Sequence, residues 1–158
     1  MMAARLVEIE EVYRSRYGAF LRVATAVVGD EQLARDAVHD GFVRAVRHRR
    51  RFRGEAPLEA WLWRIVITEA RKQRTREARD PVPGAAAEPG WDNGAAEQLR
   101  ALIPALPERQ RLVLFLRYYA DLDYSSIAES LGIASGTVGA TLTAAHSTLR
   151  RKLQEVQI

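Results

Sequence analysis

The chain has 158 residues, 47% of them hydrophobic, a formal net charge of +4 and no cysteine. That length holds one medium domain or two small ones; the missing cysteines exclude a disulfide framework and a thiolate metal site, and no apolar run approaches the ~20 residues that span a bilayer. The charge is uneven: residues 1–79 hold 17 basic and 11 acidic side chains, residues 80–98 hold 4 acidic and no basic ones, and residues 99–158 hold 7 basic and 5 acidic.

Apolar residues recur at helical spacing and the strand signal is nearly absent, so an all-α fold is expected. A first helix should run from Val7 to Val28, with Val12, Phe20, Leu21, Val23, Ala24 and Val27 inward and Gly29 as its stop. Asp30 should cap a second helix, whose apolar side carries Leu33, Ala34, Ala37, Val38, Phe42, Val43 and Val46. Arg47 to Pro57 reads as a loop punctuated by Gly54 and Pro57. Pro57 suits the first turn of a third helix. That helix continues through Trp61, Leu62, Ile65, Val66 and Ala70 into the basic tail Arg71 to Arg79. Residues 80–98 hold three of the six prolines and three of the ten glycines, which marks a domain boundary with Trp91 as its one aromatic.

The remainder is helical again. One helix is expected over Gln98 to Ala105 and another from Pro107 to Tyr119, with Leu112, Val113, Leu116 and Tyr119 inward. The acidic turn Asp121 to Asp123 leads into a helix-turn-helix pattern ending near Lys152. Ala128, Gly132 and Val138 fall where its two helices cross. Ser135 should cap the last helix, Leu142, Ala145 and Leu149 should be core, and Arg150, Arg151 and Lys152 suit its C-terminal dipole. The organisation expected is two small helical domains, at 1–79 and 98–158, joined by a flexible acidic linker at 80–97.

Two features can carry function. The basic run Arg47, Arg49, Arg50, Arg51 and Arg53, interleaved with Phe52 and followed by Trp61 and Trp63, offers cations for phosphates and faces for unpaired bases. A solvated basic loop beside an aromatic core is the alternative. Core packing is at least as good a reading of Trp61 as base contact, whereas Trp63, two positions on, is expected to be exposed. Asp36, His39 and Asp40, at i, i+3 and i+4, form an acidic edge that could dock a basic helix or simply face solvent. Three scattered histidines show no metal-ligand spacing, and no phosphate loop, HExxH or Ser-His-acid context is present. Neither an enzyme nor a cofactor is expected. The start, MMAARLVEIEEVYR, lacks a secretory apolar core, so a cytoplasmic, non-membrane protein is expected.

The ordered pair LARDAVHDGFVRAVRHRRRFRGEAPLEAWLWRI (Leu33 to Ile65) and ALPERQRLVLFLRYYADLDYSSIAESLGIASGTV (Ala105 to Val138) resembles the extracytoplasmic-function (ECF) group of sigma factors in the sigma-70 family. The resemblance implies a sigma-2-like domain whose Asp36, His39 and Asp40 dock on the clamp coiled coil of core RNA polymerase. It implies that the loop from Arg49 and the helix after it open and read the minus-10 promoter element. Arg49, Arg51, Arg53, Trp61, Trp63, Arg64 and Thr68 would lie near that DNA, with Arg71, Lys72 and Arg74 near duplex phosphates. The rear domain would be sigma-4-like, seated on the polymerase flap tip. It would place Ser135, Thr137, Val138, Thr141, His146 and Arg150 at the minus-35 element. The linker would thread toward the active-site channel, and an anti-sigma factor is an implied partner; no small-molecule substrate is.

The chain departs from the family pattern in two places. Ile67 and Thr68 stand where many members carry Arg-Asn. The helix that should enter the major groove shows Gly139, Thr141, Ala144 and His146 where members usually carry Lys and Arg, so minus-35 binding should be weak. Two further readings therefore stay open: a sigma-like protein that works with an activator, and a decoy that titrates an anti-sigma factor.

Overall fold

The computed structural model describes residues 4–77 and 102–156. Among them are six α-helices and two 3₁₀ turns, and no strand. The N-terminal module consists of α1 (Leu6–Val28), α2 (Glu31–Arg47) and α3 (Leu58–Glu77). The C-terminal module consists of α4 (Glu108–Tyr118), α5 (Tyr124–Leu131) and α6 (Ser135–Val156). The expected linker at 80–97, with Trp91, and the start of the helix expected from Gln98 lie outside the described residues. The end of that helix is a 3₁₀ turn, Ile103–Ala105.

Local chemistry sets the corners. Gly29 closes α1 with φ 80 and donates to the Thr25 carbonyl at 2.8 Å, a left-handed cap that favours glycine. Asp30 follows at once, and its carboxylate accepts from the Leu33 amide at 2.9 Å to start α2. The interior of the bundle is aromatic. Phe20 stacks on Trp63 at 3.8 Å between centroids, and Phe42 meets Phe20 and Tyr13 edge-on at 5.1 and 4.9 Å. Val43, expected inward, is partly exposed instead.

Helices α2 and α3 cross closely at Gly41, where a Cβ would stand 2.8 Å from Val66 Cγ2 and 3.1 Å from Val66 Cα. A β-branched side chain and a backbone atom give little way. Gly41→Ala should therefore destabilise the protein by about 1–3 kcal/mol through overpacking, read as a lower midpoint in thermal denaturation.

In the C-terminal module, Asp123 caps α5 by accepting from the Ser126 amide at 2.8 Å. Gly132, at φ 69, ends α5, and Ile133 donates to the Ala128 carbonyl at 3.0 Å. That turn lets α6 cross α5 over Ala128 and Val138, both buried. Ser135 is the first residue of α6 and not its cap: the Ala134 carbonyl accepts from Thr137 and Val138. Arg111 ties the 3₁₀ turn to α4, donating to the Pro104 and Leu106 carbonyls at 3.2 and 2.9 Å.

The modules pack on each other, α3 against α5 and α1 against α4. One cluster of buried apolar side chains takes in both.

Candidate nucleic-acid interface

The acidic edge is where the sequence places it. Asp36, His39 and Asp40 are exposed on the outer face of α2. The Asp36 carboxylate accepts from Gln32 at 3.3 Å, and Asp40 accepts from Gln73 of α3 at 3.5 Å. Beside this edge runs an apolar groove of about 620 Å³ between α1 and α2, lined by Leu6, Ile9, Tyr13, Phe42 and Val43 with His39 at its rim. Leu6 and Val7 are 53% and 61% exposed at the start of α1. The sequence reading missed them, although two large apolar residues ahead of the inward-facing positions are the signal that was there.

The basic loop forms a 3₁₀ turn, Arg49–Arg51. Arg49 is half-buried and donates to the Val46 carbonyl at 2.7 Å, whereas Arg51 and Arg53 are exposed. Burial and then the charges of Arg51, Arg44 and Arg47 push the His48 pKa below its ordinary value. Phe52 tilts against Trp61 at 5.4 Å.

The structure reverses the expectation for Trp63 and places Trp61, for which core packing and base contact were both open, partly buried at the edge of the core. Trp63 is wholly buried against Phe20, and its indole N–H donates to Glu59 at 3.0 Å. Buried in this way, the ring presents no face to a base. Trp61 is half-buried beside the loop. The reason is that α3 is enclosed by α1, α2 and α5 together. Its buried arc runs through Leu62, Trp63, Val66, Ile67 and Ala70, with Ala60 under α5. A reading that allowed one apolar stripe put Trp63 outside.

Trp61 forms one wall of a cleft of about 300 Å³ with Arg44, Arg64, Ile65, Thr68 and Glu69. Glu69 is buried and pairs with Arg44 at 3.4 Å and Lys72 at 3.5 Å. Thr68 is exposed and donates to the Arg64 carbonyl at 2.7 Å. Arg64 reaches Glu129 of α5 at 3.7 Å.

Further along α3, Arg71 meets Glu108 at 3.0 Å, and Arg74 meets the other oxygen of the same carboxylate. Burial pushes the Glu108 carboxyl up, but the hydrogen bonds and charges of Arg74 and Arg71 outweigh it, and the net value lies below the ordinary 4.5. A carboxyl held down by folding contributes fully above its unfolded value and loses that contribution as pH falls through the folded one. The Glu108 pairs are thus intact at neutral pH and fail only in acid below the ordinary carboxylate range.

On α6, Ser135 and Arg150 are exposed, and Thr137 and Thr141 half-buried. Val138 is wholly buried at the α5 crossing and is withdrawn from the DNA set. His146 is exposed, and its Nε2 lies 3.1 Å from the Tyr118 hydroxyl, with the rings 5.9 Å apart. Tyr118, 61% exposed, was missed; in the Tyr118-Tyr119 pair only one ring can face the core. Ala140, Thr143 and Ala144 complete the outer face, with no cation before Arg150.

Two family models match in order along the chain: Sigma-70 region 2 at residues 12–80 and Sigma-70 region 4 at residues 96–149. The chain is 28% identical over 160 residues to the RNA polymerase sigma-E factor of Streptomyces avermitilis, covering 98% of this chain and 89% of that one. It is 29% identical over 139 residues to the ECF RNA polymerase sigma-E factor of Escherichia coli K12, covering 75% of this chain and 73% of that one. Among solved structures, the sigma factor RpoE in complex with the anti-sigma factor NepR from Bartonella quintana superposes with a TM-score of 0.74 at 19% identity, covering 94% and 98% of the two chains. CnrH in complex with the cytosolic domain of CnrY superposes with a TM-score of 0.72 at 19% identity, covering 96% and 91%. At that identity the likeness is one of fold.

Proposed function

The chain belongs to the ECF group of the sigma-70 family, and from that membership we propose a division of labour among its surfaces. The protein is a promoter-specificity subunit: it binds core RNA polymerase and promoter DNA, directs initiation, and catalyses nothing itself. The order of the two family models along one chain carries this conclusion.

The N-terminal module, residues 1–79, takes the clamp coiled coil through Asp36, His39 and Asp40 on α2. The same module reads the minus-10 element. Arg51, Arg53 and Arg64 supply phosphate contacts, with Arg49 pinned behind them. Trp61 offers the stacking face, and the cleft it shares with Arg64, Thr68 and Glu69 receives a displaced base. Arg71, Lys72 and Arg74 follow the duplex upstream. The C-terminal module, residues 98–158, sits on the flap tip and presents Ser135, Thr137, Thr141, His146 and Arg150 to the minus-35 element. The linker at 80–97 crosses between them. The protein works in the cytoplasm, and an anti-sigma factor is a further partner, as the anti-sigma factor NepR is of the sigma factor RpoE.

Purified core polymerase with this protein on sheared host DNA tests the reading. Discrete start sites sharing an upstream motif are expected. The absence of specific starts, with polymerase binding intact, overturns it and favours the decoy.

The outer face of α6 supports a second statement, that minus-35 recognition is weak. Without Lys or Arg until Arg150, the helix forgoes the phosphate contacts that give most protein–DNA affinity. Scrambling the minus-35 sequence should lower transcription by less than about tenfold, or about 1.4 kcal/mol, the low end of what a single good base-pair contact discriminates. A larger drop in run-off transcripts refutes it.

A further inference from the structure

The end of α4 sends one side chain across to α6. Tyr119 stacks on Phe115 at 5.1 Å, so Tyr118 beside it points outward and is 61% exposed. A ring left so far in water adds little to the core. Its hydroxyl lies 3.1 Å from His146 Nε2, with the two rings inclined by 27°. The threonine hydroxyls on either side of His146 bond back to their own helix: Thr143 donates to the Gly139 carbonyl at 3.1 Å and Thr148 to the Ala144 carbonyl at 2.9 Å. Tyr118 and His146 thus bring donors to a stretch of α6 whose threonines have none to give. Arg150 follows His146 at i+4 on the same exposed face.

Position along the helix decides which part of DNA such donors meet. His146 stands three turns beyond Ser135, the first residue of α6, which is roughly 16 Å along the axis. A helix-turn-helix reads base edges with the first residues of this helix, so a side chain that far on meets the flank of the groove, where the phosphates are. The chemistry of the pair agrees. In either neutral tautomer, the hydrogen bond between the two side chains leaves them one donor. With the ring protonated, Nε2–H donates to the tyrosine oxygen, and both Nδ1–H and the tyrosine O–H are left to donate. The pair then also carries a charge, which strengthens its hydrogen bonds to phosphate.

We propose that Tyr118 and His146 form a phosphate grip: the tyrosine hydroxyl positions the imidazole, and the ring takes up one proton from solvent as both remaining donors meet the DNA backbone beside the minus-35 element. The grip rests on the placement of α6 at that element made above. Phosphates carry no sequence information, so the grip adds affinity without adding discrimination, in keeping with weak minus-35 reading. Arg150 is the charged group on the histidine's own helix face. From α4, Arg117 lies over the Tyr124 ring at 5.5 Å and Arg111 donates to the Pro104 and Leu106 carbonyls. From α5, Glu129 takes Arg64. A phosphate beside an imidazole favours the protonated ring. Binding should therefore tighten as pH falls through the range in which histidine changes charge.

Holoenzyme assembled from core polymerase and the full chain tests this on a fluorescent promoter duplex, titrated between about pH 6 and pH 8. The parent is compared with His146→Gln, His146→Arg and Tyr118→Phe. Both positions are exposed, so the variants should keep the parent's thermal midpoint. Relative to His146→Gln, the parent should gain about three- to tenfold in affinity at the acid end, since one proton taken up changes binding by at most about tenfold per pH unit. There its salt dependence should also be steeper by about one phosphate contact. His146→Arg should match the parent in acid and lose the pH dependence. Tyr118→Phe, which keeps the ring and drops the hydroxyl, should lose most of the acid gain. A pH profile shared by the parent and His146→Gln overturns the grip. A parent-like profile in Tyr118→Phe also overturns it, because the histidine then acts alone. A duplex lacking the minus-35 segment separates this failure from that of the underlying placement. If the parent binds it as well as the full duplex, α6 is not on that element. If the parent binds it less well and the histidine variants match the parent throughout, the placement stands and the grip fails.

Discussion

Asp40→Arg is expected to weaken binding to core polymerase strongly while leaving the fold intact. Asp40 is exposed on α2, where Gln73 of α3 approaches its carboxylate at 3.5 Å. Exposed substitutions of this kind usually shift stability by about 0.5 kcal/mol or less. At the clamp, in contrast, reversal sets like charges against each other and removes a paired acceptor, at about 2–5 kcal/mol. Binding weakened by roughly thirtyfold or more, measured by fluorescence anisotropy at constant salt, is the expected outcome. Unchanged affinity places the clamp contact elsewhere, the adjacent groove of Leu6, Tyr13 and Val43 being the next surface to examine.

The second large effect separates the two tryptophans. Trp63→Ala removes the ring stacked on Phe20 and leaves a cavity at the centre of the N-terminal bundle. Truncations of that size cost about 3–5 kcal/mol, a large fraction of a domain's ~5–15 kcal/mol. Polymerase binding and promoter opening should then fall together, along with thermal stability. Trp61→Ala should cost the fold less than Trp63→Ala, because that ring is only partly buried at the edge of the core. Its effect should appear in open-complex formation: losing one base stack is worth about 1–3 kcal/mol, or roughly 5- to 150-fold. A template with a pre-opened bubble should restore transcription by Trp61→Ala and not by Trp63→Ala. If Trp61→Ala initiates normally on closed duplex, the cleft beside it holds no base.

The fold was largely legible because its signals are local. The Gly29-Asp30 corner and the Gly132 turn depend on residues adjacent in sequence, and each appears as read; the acidic turn before α5 also falls where it was expected, and the structure adds that Asp123 caps the helix. Helix periodicity also marked Phe20, Val38, Leu112 and Leu142 as interior. What failed depends on how many neighbours a helix has. A single apolar stripe assumes one covering layer, but α3 is covered by α1, α2 and α5, so its buried arc widened to take Trp63 and left Trp61 at the edge. Val138 was a conflict already visible in the sequence, since a residue at a helix crossing cannot also face a groove. The acidic edge survived because Asp36, His39 and Asp40 share one turn-spaced face of α2 and need no knowledge of the rest. The pairing of Glu108 with Arg71 and Arg74 was beyond reach, because it joins residues 37 and 34 positions apart whose meeting depends on tertiary packing.

That pairing has a consequence for where the molecule spends its time. A chromosome offers about a million or more non-specific sites, each able to hold an unmasked basic surface by charge alone. A chain of formal charge +4 with its arginines bare would be depleted by mass action onto bulk DNA. Glu108 takes two of those arginines, Arg71 and Arg74, so part of that charge is answered by an acceptor the chain carries itself, before any phosphate is met.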